Sequence, residues 1–588
     1  METSEVQHHP LKLSRRTLLQ IGARAVLASP VAALLAACGG GSSPSAPATT
    51  GATSTTAATG ATTAQTPTSG TTGAPASPAA SPSSSASSAG ASPAAAGMVP
   101  DNVKPGGTLT VALGTDISSM EPQQTTETSS DGVRLNLYDS LVWIDNPKWQ
   151  VIPWLASKWE VSDDGKTYQF TLTDTPVKFH DGTSFSADAV KATFDRLLGP
   201  NKSTAAGIDF AGILDTVTVV DPKTVKFTLS APFAPFLIRM GYNAAAILSP
   251  DAITKYGQNY SDHPIGTGPY KFVEYRKGDH VTFVKNPDYW NGTVYYDQVI
   301  YKIVPEDASR ATLVQTGEAQ VADRIPPALA SALQGGGNAI IRADHTSRFV
   351  FMEFNQHHDL MKDARVRQAL NYGVDKDSIV KNIMKGYGGV PTAPIPTVAQ
   401  YAQAQTPYTY DVAKAKSLLQ EAGVKAGTPL VIWSPQGRYV GDKDIATAVQ
   451  GMMNDLGFNA SVQVFGDFPT YIKQLDSLNY DMAIWGWVSP DPDVGLNNVY
   501  SGQFAGKFPN WGGYSNPTVD GLLKQAVAST TDAERANLYA QAQKQIWQDA
   551  PVLWLDWQQN LTGLSTKVVN VYDDLEEVLV VRFSGYKA

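Results

Sequence analysis

YDMAIWGWVSPDPD, residues 480 to 493, opens with an apolar run from Met482 to Trp487 that only Gly486 interrupts. A continuous run of that length suits a strand buried on both faces of a mainly parallel sheet. Pro490 and Pro492 then forbid ladder pairing, so Asp491 and Asp493 are expected on a stiff loop just past the carboxyl end of the strand. Open α/β sheets bind their ligands at that end. Trp485 and Trp487 can furnish the apolar wall of a small-molecule cleft there, and the two aspartates its polar anchor. A purely structural reading competes: tryptophans two apart share one face of a strand and can be core, and Asp-Pro pairs form ordinary turns.

The rest of the chain weighs on that choice. Arg15 and Arg16 precede a short apolar run from Ala25 to Ala37, the layout of an export signal. The adjacent arginines resemble the twin-arginine variety. The run falls well short of the ~20 residues needed to span a bilayer. It ends in Leu35-Ala36-Ala37-Cys38, which holds the only cysteine and resembles a bacterial lipoprotein box. That resemblance implies removal of residues 1–37 and diacylation of Cys38, and two acyl chains give durable membrane anchoring. Gly39 to Pro100 contains no charged residue and, apart from Gln65, Met98 and Val99, is built of Ser, Thr, Ala, Pro and Gly. Such a composition cannot offset its ordering entropy, so residues 38–103 are expected to form a disordered tether. Its reach is on the order of 45 Å.

Without residues 1–37 the chain keeps 41 basic and 52 acidic side chains, a net charge of −11. An acidic exported body argues against nucleic acid as a partner. The body exceeds the ~250–300 residues that one core organises, so at least two domains are expected. Leu430 to Trp433 and Ala460 to Phe465 read as strands flanking a helical pattern from Ile445 to Leu456, a βαβ alternation. Asp363 to Lys385 reads as one amphipathic helix with Gly386 at its stop, and Ala533 to Asp549 as another. Thr108 to Leu113, Thr167 to Leu172 and Val177 to His180 read as strands, and Ser186 begins a helix through Leu198. Gly165-Lys166-Thr167 is a hairpin turn, because Glu160 stands where a phosphate loop needs its first glycine.

PWLASKWEVSDDGKTYQFTL and VKFHDGTSFSADAVKATFDRLL, within residues 153–198, closely resemble the signature region of extracytoplasmic solute-binding proteins of the peptide/nickel type, the receptors of ABC importers. The resemblance continues through Pro264–Phe272, Asn286–Trp290, Asp363–Leu370 and Asn510–Pro517. It implies a bilobed α/β periplasmic-binding-protein fold of type II with an extra subdomain. Lobe I would take residues 104–345, with the subdomain at about 145–262, lobe II residues 346–559, and residues 560–588 would return to lobe I. It also implies a monomeric receptor that takes a small, peptide-like solute to a membrane permease, with no chemistry and no cofactor. In dipeptide-binding relatives an arginine aligned with Arg438 grips the ligand carboxylate, a task suited to a guanidinium fork, and Tyr439 follows it. Trp487 carries over as cleft wall. The relatives' amine-binding aspartate corresponds to Pro490, so either the carboxylate is displaced to Asp491 or the loop is shorter by a couple of residues. An oligosaccharide, opine or metal-chelate receptor on the same fold is the alternative, and beyond that a glycan hydrolase using Asp491 and Asp493. His357-His358-Asp359 reads as a polar turn with no third metal ligand at a typical spacing.

Overall fold

The computed structural model describes residues 103–588 apart from Pro147 and Lys148. The export signal, Cys38 and the tether up to residue 102 lie outside the described residues. An eleven-stranded mixed sheet runs through the body. From one edge its order is Asn459–Phe465, Pro429–Pro435, Met482–Val488, Ala339–Phe354, Val552–Ser565, Val321–Ala322, Thr108–Leu113, Gln298–Ile303, His280–Lys285 and Tyr270–Arg276, with Gly388–Gly389 alongside Val552–Ser565.

The two longest strands join the halves. Ala339 to His345 pair with Gln559 to Ser565, and the register then shifts before Phe349 resumes opposite Trp557. Beyond that break Arg348 to Phe354 pair with Met482 to Val488. Each half has its own core: Leu109, Val111, Phe283 and Val299 in one, Val350, Met352, Ile432 and Ile484 in the other. The result is a bilobed α/β body. A separate antiparallel sheet, in the order Ala156–Val161, Thr167–Leu172, Thr224–Leu229, Leu214–Asp221, packs under the helix Ala187–Leu198. Thr167–Leu172 buries every second side chain, as a one-sided sheet requires. Phe227 meets Phe194 and Phe170 edge-on in the core beneath it.

Several local expectations need correction. The Met482–Val488 strand is parallel only to Pro429–Pro435; its other neighbour, Ala339–Phe354, is antiparallel. Residues 363–385 form two helices, Ala364–Tyr372 and Lys376–Asn382, because the Asp375 side chain accepts from Ser378 N at 2.9 Å and starts a new helix. Residues 177–180 form no strand and contribute only an isolated bridge, Lys178 to Ser184. Asp493 is not on an extended loop: it opens a helical turn, Asp493–Asn497, continued by Asn498–Tyr500. Pro492 fits at the head of that turn, where its missing N–H costs nothing.

Candidate functional site

The parallel pairing of Pro429–Pro435 with Met482–Val488, with Ile432 opposite Met482, makes both strands leave the sheet at the same edge. Past Pro435 the chain bends at Gly437, whose φ of 80° suits glycine. The Asp442 carboxylate gathers the backbone N–H groups of Gly437, Arg438 and Tyr439 at 3.0, 2.9 and 3.1 Å, which fixes the loop that carries Arg438. The Arg438 guanidinium lies 5.1 Å from the Tyr439 ring and 5.2 Å from the Phe468 ring. It is half-buried and makes no hydrogen bond or ion pair among the described residues. Burial, then the neighbouring charge of Arg348, push its pKa below the ordinary arginine range, with Tyr439 and Glu577 acting the other way.

Arg348 stands opposite Val488 across the antiparallel pairing. Its fork grips Glu577 at 3.1 Å from Nε and 2.6 Å from Nη2. Burial alone would raise the Glu577 pKa, but Arg348, and after it Arg324 and Arg438, bring it down to about 2. So one glutamate lies in the field of three guanidinium groups and binds only that of Arg348.

Trp485 and Trp487 share a face of their strand. Trp485 is 5 % exposed, stacks on Phe468 at 5.9 Å and meets Trp511 edge-on at 5.0 Å. Trp487 is half-buried between Trp485 at 6.3 Å and the exposed ring of Phe508 at 6.0 Å. Thus Trp485 is set in the core and Trp487 offers a free flank. Tyr439 packs within the core beside Ile432 and Ile484, and its hydroxyl donates to the Gly486 carbonyl at 3.3 Å. A Cβ on Gly486 would come within 2.6 Å of that ring.

Beyond the same strand, Ser489 N donates to Ser347 and holds the exit against the crossing strand. Asp491 and Asp493 are both buried, and Asp493 N donates to Asp491 Oδ1 at 2.7 Å. Asn497 donates to Asp493 Oδ1 and Arg239 to Asp493 Oδ2, the latter at 3.3 Å. Arg239 comes from the turn Phe236–Arg239, just after the four-stranded sheet, so this ion pair bridges the two sides of the body. A second bridge, Ala234 N to the Val527 carbonyl at 2.8 Å, lies nearby. Burial and the adjacent Asp493 charge raise the Asp491 pKa to about 6 against the pull of Arg535 and Arg239. Two carboxylates on one turn, joined through a backbone N–H, cannot flank a sugar ring from opposite faces as a hydrolase requires.

His358 Nδ1 sits 2.9 Å from Asp481 Oδ1, and among the described residues no three potential metal ligands gather. The sequence reading missed Arg348, Glu577, Arg239 and Arg535; they reach the seam by strand pairing and lobe packing, not by any local motif.

Two α/β halves joined by crossing strands, with a charged and aromatic seam between them, define the class of bilobed solute-binding receptors. The chain belongs to the bacterial extracellular solute-binding proteins, family 5, whose model (its middle region) matches residues 150–507. Members of that family are extracytoplasmic transport receptors. The glutathione-binding protein GsiB of Pectobacterium atrosepticum is 32 % identical over 501 residues, covering 82 % of this chain and 95 % of GsiB. Among solved structures, the periplasmic binding protein DppA from Helicobacter pylori in complex with the peptide STSA superposes with a TM-score of 0.71 at 28 % identity, covering 82 % of this chain and 99 % of DppA. The dipeptide-binding protein from Pseudoalteromonas sp. SM9913 in complex with Met-Leu gives a TM-score of 0.71 at 26 % identity over 82 % of this chain and all of its own. No helix among the described residues is long and apolar enough to cross a membrane.

Proposed function

We propose that this protein is the receptor of an ABC importer, held at the outer face of the membrane by acyl chains on Cys38, and that it captures a small peptide-like solute bearing a carboxylate. The observation that carries the reading is Arg438: a half-buried guanidinium at a strand exit, held by its loop and without an ion-pair partner among the described residues. A cation in that position is a receptor for an anionic group, and its fork matches a carboxylate. The free flank of Trp487, with Phe508 beside it, takes the apolar part of the solute. Peptide and glutathione ligands in relatives that align over most of the chain support the same class. The solute, touching both lobes, favours their closed arrangement and so presents a closed monomer to the permease.

Native mass spectrometry of the purified protein tests this by looking for a co-purified solute, followed by a thermal-shift screen of carboxylate-bearing peptides. A solute at 100 times its Kd stabilises the fold by ~2.7 kcal/mol. Binding only to neutral sugars, unaffected by Arg438→Ala, would replace the peptide reading with an oligosaccharide receptor.

A further inference from the structure

The acidic end of the seam already contains a cation. Arg239 lies between Asp493 at 3.3 Å and Asp209 at 3.5 Å, with its guanidinium 5.4 Å from the Phe233 ring. Burial works against its charge, yet Asp493 and Asp209, and after them Tyr242 and Asp491, hold its pKa above the ordinary arginine range. A second guanidinium, Arg535, lies 5.2 Å from the Tyr401 ring, and its charge pulls the Asp491 pKa down. Asn497 donates to the other oxygen of Asp493, and the Asp493 N–H goes to Asp491. A ligand ammonium entering here must either displace Arg239 from Asp493 or sit among two like charges.

We propose that Arg239 is a specificity-determining residue: by occupying Asp493 from the opposite lobe it stands in for a ligand ammonium, so the receptor takes solutes with a carboxylate but no free amine, of the class of N-acylated or otherwise N-blocked peptides. This rests on the carboxylate-receptor reading above.

The test offers the purified protein a dipeptide mixture and the same mixture after N-acetylation, reads the bound species by native mass spectrometry, and measures the best matched pair by calorimetry. The wild type is expected to bind the acetylated partner at least ~10-fold more tightly. Arg239→Gln, which keeps polarity and most of the volume, should raise affinity for the free amine by about the same factor and erase the preference. Asp493→Asn, which removes the negative charge that an ammonium would pair with, should give no such gain. Arg438→Ala should weaken both forms alike. Tighter binding of the free-amine form by the wild type, or an unchanged preference in Arg239→Gln, overturns the proposal while an Arg438-dependent affinity leaves the carboxylate reading standing. If neither mixture binds the wild type, the peptide reading falls and this inference falls with it.

Discussion

Replacing Arg438 by Met separates a binding role from a folding role, because the two make opposite forecasts for stability. The guanidinium is half-buried, has Arg348 and Arg324 as like-charged neighbours, and receives two ring faces and the charge of Glu577, which it does not contact, in return. Partial desolvation and like charge act at the scale of ~1 kcal/mol for a group that is still partly in water, and the ring contacts offset some of that by ~0.5–1 kcal/mol. Methionine keeps the apolar stem against Phe468 and Tyr439 and removes the charge. The ligand-free protein should therefore be as stable as the wild type or slightly more so. For a body of about 485 residues, 1 kcal/mol corresponds to roughly 1 °C in Tm. Affinity for a carboxylate ligand should meanwhile fall by the ~1.5–3 kcal/mol of a charge-assisted hydrogen bond, about 10- to 150-fold. Arg438→Lys should recover part of this, since it restores charge without the planar fork. Differential scanning calorimetry of the ligand-free forms and isothermal titration with the co-purified solute measure both quantities on the same samples. A Tm lowered by several degrees with unchanged affinity per folded molecule would show that Arg438 belongs to the scaffold and would refute the reasoning.

Trp487→Ala should weaken solute binding with little loss of stability because one flank is free, whereas Trp485→Ala, which empties a core position, should cost ~3–5 kcal/mol of stability; equal Tm losses in a thermal melt would refute the distinction. Asp556 is fully buried and its pKa is raised by burial from 3.8 to about 7. The folded state therefore keeps a proton that the unfolded chain releases, so this group's contribution is intact below about pH 4 and is lost as pH rises through about 7, by roughly 2–3 kcal/mol between pH 5 and 8. Denaturant unfolding at both pH values should show that loss reduced by this amount in Asp556→Asn, and an identical pH dependence in the two forms would exclude it. Cys38→Ala should abolish incorporation of labelled palmitate, and equal labelling of wild type and variant would end the lipoprotein reading.

What the sequence made legible follows the range of the forces involved. Thr108–Leu113 and Thr167–Leu172 were readable to the residue because β-branched and aromatic side chains alternate or cluster over a few positions. The helix break near Gly373 was not, since apolar spacing runs through it and the deciding event is a single Asp375 side chain choosing Ser378 N. The seam divides the same way. Arg438 and Asp491 each follow a strand and Trp487 lies near the end of one, positions that the apolar runs make legible, and parallel pairing brings those strand ends to one edge. Their electrostatic states could not be read, because these are set by groups far away in sequence. Glu577 reaches Arg348 across 229 positions and Arg239 reaches Asp493 across 254. Neither partner has a local signature: Arg239 ends a four-residue turn, and Glu577 lies in an acidic stretch that by composition alone reads as solvated surface. The fold buries that stretch, so Asp573, Asp574 and Glu577 stand in one low-dielectric region, and their pKa values separate according to who holds a guanidinium. Asp573 and Asp574 are raised by burial to about 8 and about 7, while Glu577, gripped by Arg348, is brought down to about 2. Because the Glu577 carboxylate is committed to Arg348, Arg438 is left without an ion pair among the described residues, a pattern produced by two distant segments meeting at the crossing strands.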